Sequence, residues 1–352
     1  MHDISTLTVG LGTRAYDISV GRGLIARADD LIGAFLNDRH VVVISDSNVA
    51  PVHLPALMAA CARVGRRCDT IEVPAGESSK SMPVLAKLLE DILALGVDRG
   101  VVLVALGGGV IGDLVGFAAA SLLRGVDFIQ VPTTLLAQVD SSVGGKTGVN
   151  AAAGKNLIGA FHQPRAVLAD LAALDTLADR ELRAGYAEVV KYGLLGDAAF
   201  FEWLEAHGGS VLARDDASLR HAVTVSCEAK ARIVEADERD TDRGAHERLS
   251  TRLLNGRIET FSQRPAAWKG SFSWNFITAS MGTRLASATS AADLADWRSA
   301  VFGVLAGVVA VAPALMSGEE GRRLKAAMGG KTDGSARREG VRRSPRTRAK
   351  GE

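Results

Sequence analysis

The sequence predicts an α/β domain built on a parallel sheet, followed by an all-α domain. Nearly continuous apolar segments alternate with segments of helical periodicity in the first half of the chain. Strands of that kind are buried on both faces, which is typical of a parallel sheet between two layers of helices. From residue 177 onward helical patterns follow one another without intervening strands, and this predicts the second domain.

Four apolar segments are the predicted strands, at residues 40–46, 68–74, 101–109 and 128–134. Helical patterns at 53–65 and 81–96 separate the first three. Because the carboxyl ends of parallel strands lie along one edge of a sheet, we expect ligands to bind beside those ends.

We assign residues 1–176 to the α/β domain and 177–316 to the helical domain, of which 244–316 is atypical because its periodicity is lost. Residues 321–352 carry 3 Lys and 8 Arg against 3 acids, a balance of +8. With few large apolar residues, 317–352 is predicted to be a disordered basic tail.

Composition excludes several classes of protein. A net charge of +1 does not suit a chain that binds polyanions over its whole surface, and the basic tail has no interleaved aromatic residues, so we expect no nucleic-acid partner. The longest apolar run, 301–315, is too short to span a bilayer, and no signal peptide is recognisable. Three cysteines without metal-ligand spacing indicate a reduced, cytoplasmic protein.

A glycine motif, "GGGVIGD" at 107–113, joins the third predicted strand to a helix. Gly107, Gly109 and Gly112 fit the G-x-G-x-x-G pattern, which lets backbone N–H groups approach a phosphate. A tight strand–helix turn without a ligand explains the same glycines. The motif follows the third strand and not the first, so it does not match an ordinary dinucleotide fold.

Two further strand ends carry polar residues. In "VPAGESSKS" (73–81), Ser79 or Ser81 is either a helix N-cap or, with Lys80, part of a phosphate or ribose contact. Segments 131–150 and 154–164 combine glycines with Lys146, Lys155 and several hydrogen-bonding side chains. Lysines in such a setting suit an anionic, oxygen-rich substrate.

The segment "RAGYAEVVKYGLL" (183–195) predicts a helix with Glu188 and Lys191 on one face, among core residues. Two interpretations are open at this point. The pair is either a structural ion pair or a metal ligand beside a catalytic lysine.

Three long motifs occurring in order resemble the 3-dehydroquinate synthase family over about residues 15–243. They are "GGGVIGDLVGFAAASLLRGVDFIQVPTTLLAQVDSSVGGKTGVN", "GKNLIGAFHQP" and "RELRAGYAEVVKYGLL". The resemblance implies a Rossmann-like NAD-binding domain, an all-α metal and substrate domain, and a homodimer. It also implies conversion of 3-deoxy-arabino-heptulosonate 7-phosphate to 3-dehydroquinate and phosphate, with NAD and a divalent metal, zinc or cobalt, as cofactors.

The resemblance further implies roles for individual residues. The residues expected to contact NAD are Asp46, Gly76, Glu77, Ser78, Ser79, Lys80, Gly109, Val110, Ile111, Gly112, Asp113, Thr133, Thr134, Lys146, Lys155 and Thr176. Those expected to hold the substrate are Arg124, at its phosphate, and Asp140, Lys146, Asn156, Lys191 and Lys230, at its hydroxyls and carboxylate. Glu188 is expected to be the first of three metal ligands.

The sequence departs from the family after residue 243. The family's other two metal ligands are histidines, in segments of the form LNxGHTxGHA and HGE, yet no histidine follows His246 here. The chain is therefore either the enzyme its lineage indicates or an inactive homologue that retains NAD binding, with 244–352 replaced, for example through a shifted reading frame. A third hypothesis is another sugar-phosphate cyclase or an iron-type alcohol dehydrogenase, and "DSSVGGKTGVN" and "GKNLIGAFHQP" favour the 3-dehydroquinate synthase family over the dehydrogenases.

Overall fold

The computed structural model describes residues 4–194 and 197–239, in which a seven-stranded sheet carries helices on both faces. The strands are β1 Ser5–Val9, β2 Tyr16–Gly21, β3 His40–Asp46, β4 Arg67–Val73, β5 Val102–Gly107, β6 Asp127–Pro132, β7 Lys146–Ala151, β8 Gly154–Phe161 and β9 Ala166–Asp170. The helices are α1 Ala28–Leu36, α2 Ala50–Cys61, α3 Met82–Ala94, α4 Gly109–Ser121, α5 Asp179–Leu194, α6 Ala198–Leu212 and α7 Asp216–Ala236.

The sheet has the strand order β1-β2-β9-β6-β5-β3-β4. Only β1 and β2 pair antiparallel in it, and the other neighbours run parallel. The predicted parallel sheet is therefore confirmed, and its four predicted strands are β3 to β6. The sequence analysis missed β1, β2 and β9, although the burial of Tyr16, Ile18 and Val20 in β2 follows the alternation of a half-buried strand.

Two apolar cores cover the two faces of the sheet. On one face α3 and α4 pack against β3, β5 and β6, with Phe128 fully buried among them. On the other face α1 and α2 pack against side chains of the same strands that point the opposite way, such as Val104. This two-sided burial explains why the strands read as continuous apolar segments.

Residues 146–161, predicted only as glycine-rich and poorly helical, form the antiparallel hairpin β7–β8. Gly148 and Gly159 face each other in it, and a Cβ atom on Gly159 would lie 2.0 Å from the Thr147 carbonyl oxygen. Helix α4 packs on the hairpin through Gly116, where a Cβ atom would lie 2.4 Å from Thr147 Cγ2. The glycines thus allow backbone contacts that a side chain would prevent.

The three helical patterns after residue 177 are confirmed as α5, α6 and α7. Asp197 and Asp215 cap α6 and α7 by accepting hydrogen bonds from the backbone N–H groups of Phe200 and Ser218. Helix α7 packs against β1 and against a π-helical turn, Ala137–Ser141, that follows β6. The predicted segments 244–316 and 317–352 lie outside the described residues.

Helices that could cross a bilayer are absent from the part of the chain that the structure describes.

Candidate functional site

The predicted binding residues of the first domain follow the carboxyl ends of neighbouring parallel strands. Asp46 ends β3, residues 76–80 follow β4, residues 109–113 follow β5, and Thr133 follows β6. Because β3 to β6 are parallel, these turns lie on one edge of the sheet, where α/β proteins bind their ligands. The fold therefore brings them together, as the sequence analysis expected.

The glycine turn is shaped by close packing. A Cβ atom on Gly107 would lie 2.6 Å from Ile111 Cγ1, and one on Gly112 would lie 2.7 Å from Gln130 Oε1. The tight-turn interpretation thus accounts for these two glycines without a ligand. Gly109 begins α4 beside Ser141, so the N-terminus of α4 faces the turn that carries Asp140.

Lys80 lies buried after β4 and forms an ion pair with Asp113 in the first turns of α4. Burial raises the pKa of Asp113 to about 6, and the attraction of Lys80 only partly offsets it. Ser81 is the N-cap residue of α3 but its side chain makes no capping hydrogen bond, and the Ser79 hydroxyl donates to the Pro74 carbonyl oxygen at 2.5 Å. The predicted N-cap position is therefore confirmed for Ser81, although no side-chain hydrogen bond caps the helix, and the phosphate or ribose contact stays a prediction.

The β7–β8 hairpin joins the same edge. The Asn150 backbone N–H donates to the Lys80 carbonyl oxygen at 2.9 Å, and its side-chain amide donates to Glu77 Oε1 at 2.9 Å. Lys155 Nζ lies 3.5 Å from Glu77 Oε1, and the backbone N–H of Asn156 donates to Asn150 Oδ1 at 3.0 Å. Lys155 and Asn156 are therefore brought beside the 76–80 turn.

Thr133 supplies a buried hydroxyl at the end of β6. Its backbone N–H donates to the Gly107 carbonyl oxygen at 3.0 Å, which ties it to the glycine turn. Its side-chain hydroxyl has no hydrogen-bond partner among the described residues. A buried hydroxyl without a partner is unfavourable, so this position suits a polar ligand group.

The neighbouring predicted contacts already have protein partners. Thr134 Oγ1 accepts from the Ala137 backbone N–H at 3.2 Å, and Asp46 accepts from the backbone N–H of Asn48 at 2.9 Å. The Thr176 hydroxyl lies 3.0 Å from His53 Nε2. Burial lowers the pKa of His53, so the neutral imidazole is favoured there.

A cluster of charged side chains lies where α5 and α7 meet the π-helical turn. Asp140 Oδ1 accepts from Lys230 Nζ at 2.7 Å and from the Tyr192 hydroxyl at 3.1 Å. Lys191 pairs with Glu188 one turn away on α5, and the Glu188 side chain is only 6% exposed. We call Asp140, Glu188, Lys191, Tyr192 and Lys230 the charged cluster.

The carboxylates of this cluster are not equivalent. Burial by itself would raise the pKa of Asp140, but Lys230 and Lys191 outweigh it and hold that pKa below its usual range. Burial raises the pKa of Glu188, and the nearby Asp140 carboxylate raises it further against the pull of Lys191. Asp140 is therefore the stable anion of the cluster.

Gly185 allows α5 to approach this site. A Cβ atom there would lie 2.6 Å from the Leu136 backbone nitrogen and 2.7 Å from Leu135 Cβ. Helix α5 thus touches the backbone that leads into Asp140, and Tyr192, seven positions further along the helix, reaches the Asp140 carboxylate.

The described residues do not supply a complete metal site. Within 4–194 and 197–239 no three histidine, cysteine, aspartate or glutamate side chains are grouped so that they could hold a metal ion. Glu188 is the predicted ligand, and its carboxylate is engaged by Lys191. The described residues show the ion pair that one interpretation of Glu188 and Lys191 expects, and the role of Glu188 as a metal ligand stays a prediction, because a catalytic metal needs three protein ligands.

Two of the predicted substrate residues, Arg124 and Lys146, are exposed. Arg124 follows the C-terminus of α4 and precedes β6, which places it at the opposite, amino edge of the sheet from Asp140. It is exposed, with a left-handed backbone at φ 71°. Lys146 is exposed at the start of β7. A single chain therefore does not bring Arg124 to the charged cluster.

Tyr192 is the member of the cluster that the sequence analysis missed. It lies four residues after Glu188, and this spacing places both on one face of the helix. An aromatic residue in an apolar helix is ordinarily a core residue, so only the position of Asp140 reveals its hydrogen bond.

The fold and the carboxyl-edge site place the chain among α/β synthases of known structure. The 2-deoxy-scyllo-inosose synthase structure superposes with a TM-score of 0.64 at 25% identity, over 80% of this chain and 75% of that one. A 2-epi-5-epi-valiolone synthase from Streptomyces hygroscopicus, with NAD⁺ and Zn²⁺ bound, has a TM-score of 0.60 at 29% identity, over 67% of this chain and 64% of that one.

Sequence comparison is more specific. The family descriptions "3-dehydroquinate synthase N-terminal" and "3-dehydroquinate synthase C-terminal" match residues 70–184 and 185–249. The 3-dehydroquinate synthase of Rhodospirillum rubrum is 58% identical over 241 residues, which are 68% of this chain and 63% of that protein. The chain belongs to the 3-dehydroquinate synthase family. It spans just under two thirds of the length of the curated relatives it matches.

Proposed function

We propose that this chain is a 3-dehydroquinate synthase, which converts 3-deoxy-arabino-heptulosonate 7-phosphate to 3-dehydroquinate and phosphate. The observation that carries the proposal is the charged cluster, in which the Lys230 ammonium group contacts the Asp140 carboxylate and the Lys191 ammonium group contacts the Glu188 carboxylate. The cluster lies on the turn after β6, next to the N-terminus of α4. A sugar phosphate that carries a carboxylate and hydroxyls matches that combination of charges.

We propose NAD as the cofactor on the carboxyl edge of the sheet. The turn at Gly109, the unpartnered Thr133 hydroxyl and the buried Lys80 fit a nucleotide with a pyrophosphate and riboses. NAD⁺ is present in the related 2-epi-5-epi-valiolone synthase structure. NAD, when bound, supplies the transient oxidation and later reduction of a secondary alcohol of the substrate.

The chain's own residues bind and orient the substrate. Lys191 and Lys230 provide ammonium groups for its anionic oxygens, and Asp140 accepts a hydrogen bond from a hydroxyl. The packing of α5 and α7 against the π-helical turn leaves the cluster only partly exposed to water, which strengthens these interactions relative to fully exposed ones. The described residues do not complete a metal site.

Replacement of Lys80 with alanine, or of Gly109 with valine, is expected to weaken NAD binding at least tenfold. The first change removes a buried cation, and the second places a branched side chain at the start of α4, beside Ser141. Calorimetric titration of the full chain with NAD measures the effect. Lys87→Ala is the matched control because Lys87 is an exposed lysine on α3 that pairs with Asp91. Equal affinities in all variants would contradict the assigned site.

A turnover assay tests the proposed reaction. The purified chain with NAD and the sugar phosphate, supplied with zinc or with cobalt, is expected to release inorganic phosphate. Asp140→Asn should abolish that release without changing NAD affinity, because Asp140 contacts the substrate and not the nucleotide. Phosphate release by wild type and Asp140→Asn at equal rates would overturn the assignment of the cluster.

A second candidate function, an inactive homologue that retains NAD binding, rests on two observations. No histidine follows His246, and residues 4–194 and 197–239 contain no group of three histidine, cysteine, aspartate or glutamate side chains placed to hold a metal ion. Saturable NAD binding without phosphate release at any zinc or cobalt concentration would establish it. The homodimer remains a prediction, which light scattering coupled to size-exclusion chromatography checks.

A further inference from the structure

Tyr192 is a buried tyrosine whose hydroxyl reaches a charged group. It is 3% exposed, and its hydroxyl lies 3.1 Å from Asp140 Oδ1 and 3.2 Å from the Val139 carbonyl oxygen. A hydroxyl has one proton to donate, and a carboxylate is a stronger acceptor than a carbonyl. The proton is therefore directed at Asp140, with the carbonyl as the alternative acceptor.

The two oxygens of the Asp140 carboxylate differ in their hydrogen bonds, because Tyr192 donates to Oδ1. Lys230 Nζ also donates to Oδ1, at 2.7 Å. Among residues 4–194 and 197–239, both side-chain hydrogen bonds to this carboxylate fall on Oδ1. Oδ2 is thus the oxygen with capacity to accept from a ligand.

The ring of Tyr192 contacts Lys191, a second member of the charged cluster. Lys191 Nζ lies 5.0 Å from the centroid of the ring. A cation over an aromatic face is attracted to it, and the attraction is stronger where water is excluded. One side chain therefore touches both the anion and a cation of the cluster.

We propose that Tyr192 is a positioning residue of the substrate site. Its hydroxyl, with Lys230, holds Asp140 Oδ1 so that Oδ2 meets a substrate hydroxyl, and its ring supports Lys191. The inference rests on the proposed function for the identity of the substrate. The orientation of Asp140 can be tested without that function.

The chain contains an internal control for the hydroxyl. Tyr186 lies on the same helix, is 2% exposed, and its hydroxyl has no hydrogen-bond partner within the described residues. It packs closely against Gly208, where a Cβ atom would lie 2.2 Å from the hydroxyl oxygen. Tyr186→Phe and Tyr192→Phe thus remove the same atom from the same helix, but only the second removes a hydrogen bond to Asp140.

The test compares these two variants with the wild-type chain. Tyr192→Phe is expected to raise the KM for the sugar phosphate, and its Kd in calorimetry, about tenfold, while kcat changes less and NAD affinity is unchanged. Tyr186→Phe is expected to match the wild type in all four quantities. A Tyr192→Phe chain that binds the sugar phosphate as tightly as the wild type would overturn the proposal.

Crystal structures of the two variants separate this inference from the proposed function. In Tyr192→Phe the Asp140 carboxylate is expected to rotate or to adopt two orientations, whereas Tyr186→Phe should leave it unchanged. An unchanged Asp140 in Tyr192→Phe would overturn the inference even if the chain turns over substrate. Suppose instead that Asp140 rotates in Tyr192→Phe while the wild-type chain does not bind the sugar phosphate. That result would support the positioning role of Tyr192 and refute the proposed function.

A double-mutant cycle gives a second measurement of the same hydrogen bond. Tyr192→Phe, Asp140→Asn and the double variant are compared for sugar-phosphate affinity. The two losses should not add, because both changes act on the same hydrogen bond. Additive losses would mean that Tyr192 acts through packing alone.

Discussion

Replacement of Gly185 with alanine is expected to destabilise the chain by about 3 kcal/mol, the upper part of the range for an overpacked core. The added Cβ atom would lie 2.6 Å from the Leu136 backbone nitrogen, and a backbone atom cannot move aside as a flexible side chain can. Helix α5 must then shift away from the turn that leads into Asp140. Urea denaturation of both chains measures the loss of stability, and sugar-phosphate titration measures the effect on the cluster.

Gly209→Ala is the matched control on α6. No atom lies within 4 Å of the Cβ position at Gly209, so only the helix propensity changes there. Alanine should stabilise that helix by up to about 1 kcal/mol. Equal effects of the two substitutions would show that α5 does not depend on close contact at Gly185.

Asp113→Asn is expected to gain about 2 kcal/mol in free energy of unfolding relative to the wild type as the pH rises from 4 to 7. The pKa of Asp113 is about 6 in the folded chain against 3.8 as the usual value. The folded state therefore holds this proton more tightly. Its contribution to stability is fully present below about pH 3.8 and is lost as the pH rises through about 6. Asparagine stays neutral throughout, and 1.36 kcal/mol per pKa unit gives the magnitude.

Chemical denaturation at several pH values, without NAD, checks this difference. Asp91→Asn is the control, because Asp91 pairs with Lys87 on the exposed face of α3, where solvent screens the pair. A difference between Asp113→Asn and the wild type that stays constant over this range would mean that Asp113 is not buried with Lys80.

The pairing of Glu188 with Lys191 has a consequence for the metal. A carboxylate that is buried against an ammonium group must exchange that partner before it can ligate a cation. Glu188→Gln would therefore release Lys191 as well as remove a ligand. An effect of this variant on activity does not by itself demonstrate a metal site, and metal analysis after dialysis is the decisive measurement.

Local pattern by itself determined the parallel sheet and the helices. The strands β3 to β6 are buried on both faces, so their apolar character is visible without knowing their neighbours. In α5 to α7 apolar residues recur at helical spacing, so these segments could be predicted as helices from the sequence alone. The common position of the turns after β3 to β6 followed from topology, because the carboxyl ends of parallel strands lie along one edge of a sheet.

Only the tertiary structure decided which of these residues meet. β1 and β9 are short, and β8 is largely exposed, so their pairing partners and not their own patterns make them strands. The hydrogen bond between Tyr192 and Asp140 joins residues 52 positions apart, and the Lys230 contact joins residues 90 apart. Arg124, adjacent in sequence to the strand that leads to Asp140, lies at the other edge because β6 crosses the sheet between them. A linear pattern records spacing along one element, whereas these contacts depend on how α5 and α7 pack against the turn after β6.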